Sequence, residues 1–225
     1  NVILGGGYNE YVGDHFGEII WAQYASNSAI RDKYYDNRGK KTDFNSYLKS
    51  EFSVNNKMNG FVDLQVRSIG YSNVGTDNDL RDLNVDPSFV FFNPKLGLNY
   101  QVSDKILAYG SFSVANREPV RNDFIDNPKN AQPNHETLYD YEVGFEGRFK
   151  KFMGQANLYY MDYTNQLVLT GALNDVGSSI RDNVQSSYRA GVELSGSIKI
   201  TDKLEWNINT TLSQNKIKEF TEVIS

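Results

Sequence analysis

Residues 188–212 read YRAGVELSGSIKITDKLEWNINTTL, and every second position is apolar or small. Tyr188, Ala190, Val192, Leu194, Gly196, Ile198 and Ile200 form one set, which resumes after a TDK break as Leu204, Trp206, Ile208, Thr210 and Leu212. Between them stand Arg189, Gly191, Glu193, Ser195, Ser197 and Lys199, then Glu205, Asn207, Asn209 and Thr211. A period of two belongs to β-strands whose two faces meet different surroundings. The break has the chemistry of a tight hairpin turn, and the apolar phase survives it, so both strands share one apolar face.

The same unit occurs three more times upstream. Phe44 to Val54 alternates up to NNK and continues from Met58 to Val66; Pro94 to Val102 leads through SDK to Ile106–Val114; Tyr139 to Phe149 leads through KK to Phe152–Tyr160. The breaks recur about every 48 residues. Longer connections, roughly 67–92, 115–137 and 163–186, carry Gly, Pro, Asn and Asp and alternate with the short ones. With one further strand near residues 2–8, the pattern predicts about nine strands in an all-β, antiparallel chain.

Composition narrows the setting without naming it. The chain has 225 residues, no cysteine, 39% hydrophobic content and a net charge of −5. An acidic balance with only two small basic clusters, around Arg38–Lys41 and Arg148–Lys151, argues against a nucleic-acid partner. No run approaches the roughly 18 apolar residues of a transmembrane helix, a test that is blind to strands. The chain begins at Asn1 without an apolar leader and reads as a portion of something longer.

Alternating strands build either a soluble sandwich, apolar face inward, or a membrane barrel, apolar face outward. Sandwich strands run about 5–6 residues, whereas these run about 11–13. The polar set includes Lys49, Asp63, Arg67, Glu142 and Glu193, too many charges for a dry core. A transmembrane β-barrel places them in a water-filled lumen, with short periplasmic turns and long extracellular loops. About nine strands make a partial wall, since single-chain bacterial barrels normally have even strand numbers.

The segments GGGYNEYVGDHFGEIIW (5–21), FVDLQVRSIGY (61–71), FFNPKLGLNYQVSDKILAYGSFSVANREPVRND (91–123), ETLYDYEVGFEGRF (136–149), ANLYYMDYTNQLVLTG (156–171) and YRAGVELSGSIKITDKLEW (188–206) resemble the barrel of TonB-dependent outer-membrane receptors, Bacteroidetes-type in particular. The resemblance covers nearly the whole chain. It implies a 22-stranded barrel closed by a plug domain, residence in the bacterial outer membrane, and TonB as a partner acting through that plug. It also implies outer-membrane lipid around the barrel and a small-molecule substrate, with a ferric siderophore as the commonest cargo. No plug sequence is visible, so residues 1–225 are expected to be a partial barrel domain. A passive porin shares the alternation, and a soluble sandwich binding module is the third alternative. No catalytic constellation or cofactor motif stands out, and the chain is not expected to be an enzyme.

Candidate ligand-binding residues are Trp21 and Tyr24 in EIIWAQY, as aromatic clamps, with loop packing or an interfacial position as the plain alternative. Arg117 and Arg121 of NREPVRND can meet plug acids or an anionic substrate, or be satisfied within the wall by Glu118 and Asp123, the preferred reading. His15 and His135 read as solvated loop side chains rather than metal ligands. Asp77, Asp79, Asp82 and Asp86 lack the ligand series of an EF-hand and read as solvated loop acids. Gly5–Gly7 reads as a bend or close backbone approach.

Overall fold

The computed structural model describes residues 1–24, 27–78, 80–127, 132–174 and 177–220. The strands are β1 (Val2–Glu18), β2 (Lys33–Asn55), β3 (Met58–Thr76), β4 (Asp82–Val85), β5 (Ser88–Ser103), β6 (Ile106–Arg117), β7 (Glu136–Arg148), β8 (Phe152–Leu173), β9 (Ser179–Thr201) and β10 (Leu204–Ile217). Nine long strands pair antiparallel in chain order, while the four-residue β4 folds back on the far end of β3. A short helix, α1 (Arg121–Asp126), interrupts the connection between β6 and β7. The sheet is an open wall with β1 and β10 at its edges. Among the described residues no helix is long and apolar enough to cross a membrane.

All four short turns fall where the alternation breaks. In three of them the same local bond explains the residue choice. Lys57 N–H donates to Asn55 Oδ1 at 2.8 Å, Lys105 N–H to Ser103 Oγ at 3.4 Å, and Lys203 N–H to Thr201 Oγ1 at 3.2 Å. A short polar side chain thus takes the N–H two residues on, mimicking a backbone turn. The fourth closes by Phe149 N–H donating to Phe152 O at 2.7 Å.

Register keeps the apolar set on one face throughout. Leu4 lies opposite Leu48, Leu48 opposite Leu64 and Leu64 opposite Pro94. Farther along, Leu96 faces Phe112, then Tyr141, Tyr160 and Ala190 follow on successive strands. One slip anywhere would send a strand's apolar set to the other side. Phe112, Tyr141, Tyr160 and Tyr188 form a row of rings with centroids 4.9, 6.5 and 5.8 Å apart. A second aromatic group, Phe149 stacked on Phe152 at 6.2 Å, marks the turn end. Tyr139 and Phe149 are ten residues apart, about 34 Å along a strand and about 24–28 Å along the normal at a 35–45° tilt, the height of a barrel's apolar band.

The strands run far beyond that band, which corrects the expected boundaries. β1 continues to Glu18 instead of stopping near residue 8, and β2 starts at Lys33, ahead of Phe44. Most of the expected connections 67–92 and 163–186 is paired strand, since β3 reaches Thr76, β8 reaches Leu173 and β9 begins at Ser179. β2 and β9 have 23 residues each, whereas a membrane strand needs only about 9–11. Past the band both faces can meet water. The ladder continues there without any need for alternation, so a period-two reading stops where the apolar band ends.

On the polar face, several glycines lie opposite an aromatic ring: Gly5 with Tyr47, Gly97 with Phe61, Gly144 with Tyr109 and Gly191 with Tyr159. A Cβ on Gly144 would fall 2.4 Å from the Tyr109 ring and 2.6 Å from the Ala156 carbonyl. The ring can therefore lie flat across the strand. Its hydroxyl donates to Asn157 Oδ1 at 3.2 Å and accepts from Gln155 Nε2 at 2.8 Å. Within the triple glycine only Gly5 fits this account; Gly6, on the other face, is a close backbone approach, since its Cβ would sit 2.8 Å from the Asn45 carbonyl.

Two expectations test the faces. In the full-length protein folded into lipid vesicles, Leu194→Arg should cost roughly 2–4 kcal/mol of stability, and Ser195→Arg much less; equal costs would contradict the facing. Gly144→Ala should destabilise by about 1–3 kcal/mol, measured in the same assay, because backbone as well as ring must move.

Candidate functional site

The site begins where a ladder opens. Pairing between β5 and β6 runs only as far as Lys95 opposite Ser113. The next residue on β5 is Pro94, which has no N–H to donate. Beyond it Asn93 substitutes a side chain for backbone: its Oδ1 accepts from Asn116 N at 3.1 Å and from Asn116 Nδ2 at 2.9 Å. Released from β5, the chain after Arg117 turns across the polar face as residues 118–127.

A charged clasp holds that segment. Glu118 accepts from Lys41 Nζ at 2.7 Å and from Arg67 Nη1 at 3.1 Å, while Arg67 Nε donates to both Asp43 oxygens at 3.1 Å. Farther on, Asp123 takes Val120 N–H at 2.8 Å with one oxygen and Arg181 Nη1 at 3.0 Å with the other. Phe124 stacks on Tyr71 with centroids 5.7 Å apart. Ile69 and Phe91, 1% and 3% exposed, are buried on the same face. Adjacent residues Asp123 and Phe124 thus touch β9 and β3, five strand spacings apart, about 24 Å in a flat sheet, and the polar face curls around them.

The polar face is thus not polar along its whole length. Lys49, Asp63, Arg67, Glu142 and Glu193 do share that face, as the register shows. Lys49 lies opposite Asp63, Asp63 opposite Lys95, and Lys49 Nζ is 3.6 Å from Glu51. Toward the loop end, however, Ile69, Tyr71, Phe89 and Phe91 replace charges. The stretch FVFF (89–92) carries apolar residues on both faces, a visible signal that something packs on the otherwise polar side.

The named candidates separate. Trp21 and Tyr24 stand free at 76% and 87% exposure, so Trp21 does not pack its loop. Arg117 pairs with Glu136 on the neighbouring strand, Nε to Oε1 at 2.9 Å, and Arg121 Nη2 donates to Asn37 Oδ1 at 2.9 Å. Both arginines are held within the wall, but neither by Glu118 or Asp123, whose partners are the clasp residues and Arg181. His15 is on β1 rather than in a loop, half-buried opposite Asn37. Burial lowers its pKa first, with the Arg121 charge adding to the effect. His135 packs 5.3 Å from Phe91 and 5.9 Å from Phe89 instead of being solvated. Asp77 is 1% exposed; its carboxylate accepts from Arg81 N at 2.8 Å and Arg81 Nε at 3.0 Å, so it closes the turn before β4. Asp82 and Asp86 are exposed and Asp79 lies outside the described residues. No group of three or more His, Cys, Asp or Glu able to hold a metal occurs among the described residues.

Glu118 gives the clasp a pH dependence. Burial alone would raise its pKa, but the hydrogen bond from Lys41, a backbone N–H and the charges of Lys41 and Arg67 together outweigh burial and hold it below the ordinary 4.5. A lowered carboxyl pKa means its contribution is complete above about pH 4.5 and is lost as pH falls through the lowered value. Hydrogen exchange of the 118–127 backbone, corrected for intrinsic rates, should show constant protection from pH 7 to about 5 and a fall below that. Glu118→Gln should weaken protection at pH 7 by about 1–3 kcal/mol and flatten the acid response; an unchanged acid response in the variant would remove Glu118 from the clasp.

Comparison with known proteins agrees with this architecture. The family described as TonB-dependent receptor-like, β-barrel matches residues 1–221. No curated protein sequence matches the chain. Among solved structures, the ferric-catecholate import receptor Fiu of E. coli K12 aligns at 16% identity and TM-score 0.67, covering 99% of this chain and 36% of its own. The ferric yersiniabactin uptake receptor FyuA of Yersinia pestis aligns at 14% identity and TM-score 0.66, covering 98% and 32%. The copper transporter OprC aligns at 12% identity and TM-score 0.70, covering 80% and 30%. At such identities the likeness concerns the fold, and the chain spans about a third of the receptors it matches. These neighbours are receptors and transporters rather than enzymes. With the family matched over nearly its whole length, the chain belongs to the TonB-dependent receptors and forms part of the β-barrel of an integral outer-membrane protein.

Proposed function

We propose that this chain is part of the wall of a substrate-specific uptake receptor energised by TonB, with a ferric siderophore or a comparably scarce nutrient as cargo. Family membership supports the receptor. The observation that favours selection over free diffusion is the docked 118–127 segment. Lys41, Asp43, Arg67, Glu118, Asp123 and Arg181 fasten a loop across the polar face.

In this reading the polar face lines the lumen, so Lys49, Asp63, Arg67, Glu142 and Glu193 point inward and the apolar band meets lipid. The nine long strands are a portion of a wall of about 22 strands closed by a plug, and residues 1–225 are barrel alone. The plug is the part that TonB pulls. Trp21 and Tyr24 are extracellular aromatics that reach into solvent, and Arg117 and Arg121 stand at the start of the inward loop. Binding stabilises only the occupied state and cannot by itself accumulate substrate against a gradient, so the work comes from the partner in the other membrane.

Cells carrying the complete receptor should bind labelled ferric siderophore from outside whether or not TonB is present. Accumulation in the periplasm should require both TonB and the proton gradient. Unchanged accumulation after TonB loss, together with steady ion conductance of the purified protein in planar bilayers, would assign a passive porin instead.

A further inference from the structure

Arg121 carries a charge that the surrounding ion pairs leave uncompensated. In the clasp, Lys41 and Arg67 face Asp43 and Glu118, two against two. Arg181 is matched by Asp123 and Arg81 by Asp77. Arg121 makes no ion pair among the described residues: its Nη2 reaches only the neutral Asn37 amide, and its Nε is buried without a partner.

Other orphaned groups stand beside it. His15 Nε2, Tyr71 Oη and both amide atoms of Asn73 are buried and unbonded, and Asn73 is 0% exposed. Tyr71 and Asn73 are close, but their contact falls short of hydrogen-bond geometry. Buried polar atoms are nearly always bonded to protein or to something held between them. The strands bring these side chains together. His15 opposes Asn37, Gly13 and Gly39 oppose one another with Asn73 next in the row, and Lys41 opposes Tyr71. The glycine row leaves a floor without side chains, and a Cβ on Gly39 would lie 3.7 Å from His15 Nε2. Over it is a cavity of about 220 Å³ shared by His15, Gly39, Tyr71 and Arg121, walled by Phe89 and Phe124 and lined also by the mutually paired Lys41 and Glu118, while Asn73 does not line it.

We propose that Arg121, flanked by His15 and Tyr71, binds the carboxylate of a small monoanion whose apolar body lies against Phe89 and Phe124. One unbalanced guanidinium calls for one negative charge. A carboxylate accepts in its plane from a guanidinium fork and uses its remaining lone pairs for neighbouring N–H and O–H donors. The apolar walls select a hydrocarbon or aryl body over a hydrated ion such as phosphate. The site names a ligand class for the face that the receptor reading assigns to the extracellular side, and rests on that reading for access. Binding by purified protein needs no TonB, so failure of energised uptake and failure of this site are separate results.

The complete receptor, purified in detergent, is titrated with 4-fluorobenzoate and followed by fluorine NMR. Saturable broadening is expected, displaced by benzoate and not by the neutral isostere benzamide. Arg121→Gln should weaken binding at least ten-fold. Gly39→Leu, which fills the floor and removes no polar group, should abolish it while the barrel keeps its heat-resistant migration, guarding against a folding defect in the first variant. Absence of saturable binding, equal displacement by benzamide, or undiminished affinity in both variants overturns the proposal. So does a structure of the complete receptor in which an Asp or Glu of its own chain occupies Arg121.

Discussion

Backbone pairing in register is the constraint from which the other features follow. Hydrocarbon offers no partner to an N–H or C=O group, so each strand within the apolar band must be bonded on both sides. Pairing antiparallel in chain order requires turns of two or three residues at one end, and Asn55, Ser103 and Thr201 supply the side-chain oxygens that close them. Once register is set, period two carries Leu48, Leu64 and Leu96 to one face and Lys49, Asp63 and Lys95 to the other. The faces are therefore consequences of the ladder, and the aromatic rows at its two levels follow from the same alignment.

A proline at one point in that ladder creates the site. Pro94 deletes a donor where β6 would otherwise continue along β5, and Asn93 fills the gap with its side chain. The released segment is fastened through backbone and side chain alike: Arg81 Nη2, from the turn before β4, donates to Ile125 O at 2.6 Å, and Asn127 Nδ2 donates to the backbone carbonyl of Arg181 at 2.6 Å. Apolar residues on the polar face then find cover: Ile69 and Phe124 wall one cavity, and His135 packs 5.3 Å from Phe91.

The band was legible because a strand whose two faces meet different surroundings displays its period of two in the sequence. The four turns, the antiparallel order and the shared face of Lys49, Asp63, Arg67, Glu142 and Glu193 all follow from that one period. The long extensions were not legible: DNRGKKTD (36–43) pairs fully with β1 and β3 yet has no apolar face, since ladder bonds alone sustain it in water. The partners of NREPVRND were hidden for another reason. Glu118 and Asp123 are near Arg117 and Arg121 in sequence, but their ion partners are Lys41, Arg67 and Arg181, brought close only by folding of the loop across the sheet. His15 looked like a loop residue because β1 beyond Tyr8 no longer alternates, and Asp77 looked solvated because nothing local reveals that the turn around it is packed.

Charge pairs of this kind specify a position more than they hold it tightly. Glu118 is 12% exposed at its side chain while Arg67 and Lys41 keep 27% and 38%, so the attraction is shared with water and much of it offsets desolvation. A loop fastened this way has one preferred seat, because Glu118 meets Lys41 and Arg67 only there and Asp123 meets Arg181, yet leaving that seat exchanges protein partners for water at modest net cost. The stacked Phe124 and Tyr71 add apolar burial that water cannot replace. The seat is thus selected by charge and weighted by an aromatic contact.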